Sequence, residues 1–399
     1  MPVPTPFYSR TRPLCESHDW RDWSGYLAAS VYEHSHEREY YAIRNAAGLI
    51  DISPLFKYEI QGPAAERLVD RIMTRDITRC KVGQVIYSPW CDEDGKMIDD
   101  GTIARLGANH FRVTAADPSL RWFQDVGYGL QVEVRDVSGD LAALALQGPR
   151  SREILQAVVA GIKLDKLRYF RLAEGTIDGR PLTITRTGYT GDLGYELWLA
   201  AADAGAVWDR LLEVGRGYGL LPAGMIPLDI ARIEAGLLLI DVDYISAHKA
   251  VIPAQKSSPF EVGLGWAVAR DGAPFIGQAA LRRERENGSP WTFIGVQAEW
   301  LALQRLFAAE DLPPAVAGRA KREAVPLYQY GRAGQKQIGQ VTSHTFSPML
   351  KEYVGIGIIR SEVAREPLVE MEFTVEYSRE RVPARLVQTP FYAPPWKRE

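Results

Sequence analysis

Tyr58-Glu-Ile-Gln-Gly-Pro-Ala-Ala-Glu-Arg-Leu68 and Leu144-Ala-Leu-Gln-Gly-Pro-Arg-Ser-Arg-Glu-Ile-Leu155 are two versions of one pattern. In each, a short apolar strand ends at Gln-Gly-Pro and a helix begins. Glycine permits the sharp turn, and proline suits the first helical position, where its missing N–H is no loss. After the first turn, Leu68, Val69, Ile72 and Met73 mark one apolar helical face. Strand–turn–helix units of this kind predict an α+β protein whose halves are built on antiparallel sheet.

Working outward, the sequence between the two units is strand-rich. Gln84–Trp90 reads as a strand, Asp92–Gly95 as a turn, and Lys96–Arg105 and His110–Thr114 as further strands. Leu182–Thr187 and Tyr195–Ala200 predict a hairpin around Gly188-Tyr-Thr-Gly-Asp-Leu-Gly194. Ala204–Gly215 predicts a helix with Val207, Leu211 and Leu212 on one face, and Met225–Leu239 a second, more apolar one. From about residue 285 the texture changes to Gly, Pro and short β-type runs, as in Lys336–Val341 and Tyr353–Ile359. Trp300–Ala309 adds a helix there, and Pro313–Arg322 reads as a loop. The expected division is a two-part region over 1–284 and a β domain over 285–399.

The bulk properties fit two or three domains. The chain has 399 residues, 46% of them hydrophobic and 24% charged, with a net charge of −3. A general nucleic-acid binder would be basic, so no nucleic-acid partner is expected. No apolar run is long enough to span a bilayer, and Met1–Trp23 lacks a signal-peptide core, so a cytoplasmic protein without a membrane partner is expected. Cys15, Cys80 and Cys91 are widely spaced and read as reduced thiols. The six histidines form no metal set; His34-x-His36 lies among Glu and Arg and reads as an exposed face. There is no phosphate-cradling glycine loop.

A few residues stand out chemically. Asp99 and Asp100 share a strand and must face opposite ways, so one can enter a pocket while the other is expected in solvent. Glu196 alternates with Trp198 on one face of its strand, opposite Tyr195, Leu197 and Leu199. A carboxylate beside Trp at a Gly-rich turn suits a flat heterocycle with N–H donors, although an exposed strand glutamate gives the same pattern. Asp229 and Arg232, at i,i+3, are expected to pair.

The pieces also occur in a telling order: Asn45-Ala-Ala-Gly-Leu-Ile-Asp-Ile-Ser53, the first Gln-Gly-Pro, Gly95-Lys-Met-Ile-Asp-Asp100, the second Gln-Gly-Pro, Arg186-Thr-Gly-Tyr-Thr-Gly191 and Gly194-Tyr-Glu196. Pro222-Ala-Gly224, Arg232-Ile-Glu-Ala235, Pro259-Phe-Glu-Val-Gly-Leu-Gly-Trp266, Gln340-Val-Thr-Ser343, Phe346-Ser-Pro348 and Pro390-Phe-Tyr392 follow. Together they resemble the glycine-cleavage T-protein family from about Trp23 to the C-terminus. The resemblance implies a three-domain, clover-like fold with ferredoxin-like α+β parts, an antiparallel C-terminal domain and a central cavity for tetrahydrofolate. It implies Asp100 as the catalytic aspartate, Glu196 as the pterin's hydrogen-bond acceptor, and Tyr87, Tyr169, Tyr189 and Trp266 as cavity walls. No metal is implied.

The chain also departs from that family. Asp51-Ile-Ser-Pro-Leu55 replaces Asp-Val-Ser-His-Met, Leu228 stands for an arginine, Thr114 for an asparagine, and Tyr244–Ser258 is extra, as is sequence near Trp300–Lys321. Exchanging arginine for leucine removes a planar, five-donor group, so Leu228 and Thr114 are expected on the substrate side. The expected activity is demethylation of a small N-, S- or O-methylated compound onto tetrahydrofolate. Trp20, Trp23, Tyr26 and Tyr32 could cradle a cationic donor. The alternative is an aminomethyltransferase working with lipoylated H-protein. A non-enzymatic folate-binding assembly protein is a third reading, but its Lys-Gly-Cys-Tyr-x-Gly-Gln-Glu motif does not occur.

Overall fold

The computed structural model describes residues 1–314, 318–331 and 336–398. The two Gln-Gly-Pro units fall in two different sheets. Strand Phe56–Gln61 turns into helix Ala65–Ile72, and strand Leu141–Gln147 into helix Ser151–Val158. Gly62 and Gly148 hold φ of +127° and +134°, and a Cβ on either would meet backbone oxygen at 2.7 and 2.6 Å. Only glycine fits there. Pro63 and Pro149 stand just outside the helices, which begin two residues later at Ala65 and Ser151.

The first unit belongs to a five-stranded antiparallel sheet, ordered Val85–Cys91, Met97–Gly107, His110–Ala115, Phe56–Gln61, Glu133–Asp136. The second belongs to a seven-stranded sheet, ordered Val159–Ala160, Leu172–Ile177, Arg180–Thr185, Gly194–Ala200, Leu141–Gln147, Ala47–Asp51, Leu220–Pro222. Its last pair alone is parallel. Each sheet buries one face under its helices. Leu68, Val69, Ile72 and Met73 are fully buried in one cluster; Ile154, Leu155, Leu197 and Leu199 fill the other. Burying each such side chain contributes roughly 1.5–3 kcal/mol.

The C-terminal part is a closed antiparallel barrel: Trp291–Ala298, Glu352–Arg360, Gly339–Ser347, Val325–Gln329, Leu368–Val375, Ser378–Val387 and back to the first. Helix Trp300–Ala308 packs over it through Leu303. The loop expected over 313–322 lies partly outside the described residues. Helix Ala204–Gly215 has the expected bounds. Helix Met225–Glu234 stops five residues short of Leu239 because Leu237 N–H folds back onto the Arg232 carbonyl at 2.9 Å, closing the C-terminus.

That helix ties the parts together through buried charge. Arg232 Nε meets Asp229 at 2.8 Å, Nη1 meets Asp243 at 2.5 Å, and Nη2 meets Ser343 of the barrel at 2.8 Å. Thr342 and Ser343 also donate to Asp243, both at 2.6 Å. The expected Asp229–Arg232 pair is thus one edge of a larger junction. Removing one member of such a buried network costs roughly 3–5 kcal/mol.

The structure departs from four expectations. Asp99 is fully buried, not solvated. Strand alternation does turn it away from Asp100, but the loop after Ala115 covers that other face. Asp99 accepts N–H groups of Ala116 at 3.1 Å and Asp117 at 2.9 Å. Leu228 is 5% exposed and packs with Ile43, Ile50, Ala143 and Trp198. Its side chain is a core contact because its helix turns that face inward. Trp20 and Trp23 lie on one hairpin but pack apart: Trp20 sits on Tyr8 at 5.2 Å, and Trp23 backs the Ile50 cluster. Trp20 packs with Tyr32 and Trp23 pairs with Tyr26 across the hairpin, so the four rings divide between two places instead of forming one cradle. His36 is buried, while His34 is exposed.

Candidate functional site

A cavity of about 190 Å³ lies between the two sheets. The five-stranded sheet supplies Tyr87, Asp100, Thr102 and Thr114; the seven-stranded sheet and its Gly-rich turn supply Thr187, Tyr189, Glu196 and Trp198. Leu238, Leu239 and Ile240, the segment released by the early end of helix Met225–Glu234, close one side.

Asp100 stands on strand Met97–Gly107 with both carboxylate oxygens engaged. Tyr87 OH donates to Oδ2 at 2.6 Å, and Tyr244 OH donates to Oδ1. Burial pushes the Asp100 carboxyl above its usual range, the two phenols pull it back, and Asp243 adds to the upward push. Burial and the Asp100 charge together hold the Tyr87 and Tyr244 phenols well above 10.

Glu196 sits across the cavity on strand Gly194–Ala200. Its Oε2 accepts from Thr187 Oγ1 at 2.7 Å and Thr185 Oγ1 at 3.4 Å. No described residue bonds Oε1. Burial raises this carboxyl too, against the two threonines. The turn carrying Thr187 and Tyr189 is pinned by Gln147, the glutamine of the second Gln-Gly-Pro. Its Nε2 donates to the carbonyls of Thr187 at 3.3 Å and Tyr195 at 3.4 Å, and Oε1 accepts from Thr190 at 3.1 Å. A Cβ on Gly188 or Gly194 would meet Gln147 at 2.0 Å, which is why the turn is glycine at both sides. The motif therefore sets the site as well as the helix start.

The remaining sequence candidates divide. Thr114 lines the cavity while bonding Thr102 across the strands at 2.5 Å. Tyr189 lines it and donates to the Leu238 carbonyl. Phe170, at φ +56°, lines the cavity, and Tyr169 stands edge-on to it at 4.6 Å, its phenol raised by burial and by the nearby Glu196 charge. Leu228 lies in the core, as described. Trp266 is 63% exposed, stacks on Tyr87 at 6.1 Å and faces a second pocket of about 310 Å³ lined by Arg75, Arg79 and Arg270. Sequence reasoning missed Tyr244, Phe170 and Gln147. A repeated Gln-Gly-Pro could have pointed to Gln147; nothing local marks the other two.

Neither Lys, Arg nor His is among the cavity's lining residues, whereas two carboxylates are. Among the described residues no group of three or more His, Cys, Asp or Glu could hold a metal ion, and no helix is long and apolar enough to cross a membrane. Cys15, Cys80 and Cys91 are buried and free.

Two largely antiparallel sheets enclosing a carboxylate-lined cavity, with a β-barrel docked on them, define a T-protein-type transferase. The chain belongs to the glycine-cleavage T-protein family: residues 13–272 match the GCVT N-terminal domain and residues 315–393 the glycine cleavage T-protein C-terminal barrel domain. It is 34% identical over 357 residues to an aminomethyltransferase of Halothermothrix orenii, covering 88% of each chain. It is 34% identical over 370 residues to one of Symbiobacterium thermophilum, covering 90% of each. The solved glycine cleavage system aminomethyltransferase T of Bartonella henselae has the same fold, with a TM-score of 0.82, 23% identity, and coverage of 98% of this chain and 99% of that one.

Proposed function

We propose that this chain is an aminomethyltransferase that passes a one-carbon unit to tetrahydrofolate held between the two sheets. The observation carrying this reading is the pair of half-buried carboxylates, Asp100 and Glu196, in one cavity whose lining includes no cationic side chain. Glu196 keeps one oxygen open on a half-buried side chain, which suits the N–H donors of a pterin. Tyr87, Phe170, Tyr189 and Trp198 give the flat ring apolar walls. Tetrahydrofolate supplies the nucleophilic nitrogen when bound.

The cavity is smaller than the roughly 300–1,000 Å³ of a site for a whole drug-sized ligand. It suits the ring alone. The carboxylate tail would run past Trp266 toward Arg75, Arg79 and Arg270. Asp100 orients the reacting amine and exchanges its proton, and the walls exclude water while the groups are held in line.

The relatives named aminomethyltransferases favour this over the demethylase expectation. That expectation drew on Leu228, Thr114, the Pro54-Leu55 exchange and the extra segment; Leu228 packs in the core, whereas Leu55 and Thr114 line the cavity. A lipoylated H-protein is then the proposed donor partner. Demethylation of a small cationic methyl donor is a second reading, supported by the two carboxylates without a lining cation. Incubating the purified chain with aminomethylated H-protein and tetrahydrofolate should release ammonia and form methylene-tetrahydrofolate. No ammonia there, with 5-methyl-tetrahydrofolate from a methylated ammonium or sulfonium compound, would replace the first reading by the second.

A further inference from the structure

Tyr244 opens the segment Tyr244–Ser258, which the resemblance to T-proteins marks as extra sequence. This segment runs beside the strand that holds the paired aspartates. Ala247 N–H bonds the Met97 carbonyl at 2.7 Å, and Met97 N–H bonds the Ser257 carbonyl at 2.9 Å, so both ends flank the strand two residues before Asp99. Two lysines tether it. Lys249 reaches Asp117 and Asp241, each at 2.5 Å, and Lys256 reaches Asp92 at 2.9 Å. The outcome is a buried phenol, 3% exposed, whose OH donates to Asp100 Oδ1 and lies 3.5 Å from Asp99 Oδ1.

We infer that Tyr244 is a positioning residue for Asp100: the segment Tyr244–Ser258 holds a second phenol on the catalytic carboxylate, opposite Tyr87. The inference rests on the proposed role of Asp100. With a donor on each oxygen, the carboxylate cannot rotate about its Cβ–Cγ bond without breaking a bond of its own. Its remaining lone pairs are thereby aimed at one place in the cavity. The same donor favours the ionised form, which burial opposes. The charges facing Asp100 are Asp99 from its own strand and Asp243 from the loop ahead of Tyr244, the latter offset by Arg232. Tyr87 and Tyr189 are the neutral phenols that complete its surroundings. Deleting the Tyr244 hydroxyl therefore raises the Asp100 midpoint, because only the charged state loses a partner.

The test is Tyr244→Phe beside Asp100→Asn in the full chain. Asp100 is followed by carbon NMR of aspartate labelled at the carboxyl, its resonance identified by its loss in Asp100→Asn. Ammonia release from aminomethylated H-protein is followed in parallel. Tyr244→Phe should move the Asp100 midpoint up by about one pH unit, the size of one lost hydrogen bond to a charge. It should also lower kcat at neutral pH about tenfold, with KM for tetrahydrofolate within about twofold, since the ring of Phe keeps the packing. An unmoved midpoint overturns the inference. So does a fall in thermal stability and a raised KM with the midpoint in place, which would mark a packing role only. An Asp100→Asn variant with wild-type turnover would instead remove the proposed role of Asp100. If H-protein is not the donor, the NMR titration still decides.

Discussion

Asp99 Oδ1 accepts the backbone N–H of Asp100 at 2.7 Å, so one aspartate holds the backbone of the other. Asp99 Oδ2 meanwhile ties down the loop at Ala116 and Asp117. Replacing Asp99 by Asn sets an amide N–H₂ against N–H groups. The expected loss is about 1–3 kcal/mol of stability, read as a lower urea midpoint. Turnover should fall as well, since the Asp100 strand loses its anchor. An unchanged midpoint would mean that these backbone bonds add nothing.

Glu196 and Asp100 should separate binding from turnover. Glu196→Ala removes the open acceptor and is expected to weaken tetrahydrofolate binding about tenfold or more by fluorescence titration. Asp100→Ala should leave affinity within a few-fold and slow turnover by roughly 10²–10⁴. Equal effects of both variants on affinity would collapse the distinction.

The arginines beyond Trp266 test where the tail lies. Arg75 stands 5.5 Å from the Trp266 ring and is partly exposed. Arg75→Ala with Arg270→Ala should weaken tetrahydrofolate binding about two- to tenfold at low salt, less at high salt. Affinity for a reduced pterin without the glutamyl tail should not change. If both ligands weaken equally, the second pocket does not take the tail.

His344 predicts an acid-sensitive barrel. It is 3% exposed, bonds Tyr353 OH at 2.7 Å, and burial lowers its pKa to about 4. The unfolded chain binds this proton near the ordinary value of 6.5, the folded chain only near 4. Between these values the unfolded state holds more protons, so stability falls as pH drops from about 6.5 to 4. His344→Gln should flatten that part of the stability profile, measured as urea midpoints at pH 7 and pH 5. An equal slope in both proteins would exclude His344 as the source.

Much of the fold was legible because it is written in local rules. Turn glycines, strand alternation and helical periodicity act over two to four residues, and they placed helix Ala204–Gly215 and the strands around Asp100 and Glu196 within two residues or so. The alternation Tyr195, Leu197, Leu199 against Glu196, Trp198 is the observed one. The same local logic failed where another element covers a face. It put Asp99 in solvent because alternation says nothing about the loop lying on the far side. It also missed Phe170 on the cavity wall, because the positive φ that turns it there has no sequence mark.

The sequence by itself determined two strand–turn–helix units, a C-terminal β region, and an acidic residue on each of two strands, since these follow from backbone geometry and apolar spacing. Only the tertiary structure decided that the two sheets face one another, that Gln147 locks the turn beside Glu196, and that a phenol 144 residues away closes on Asp100. The physical reason is burial: which groups lose water, and which partners replace it, depends on chain segments remote in sequence meeting in space.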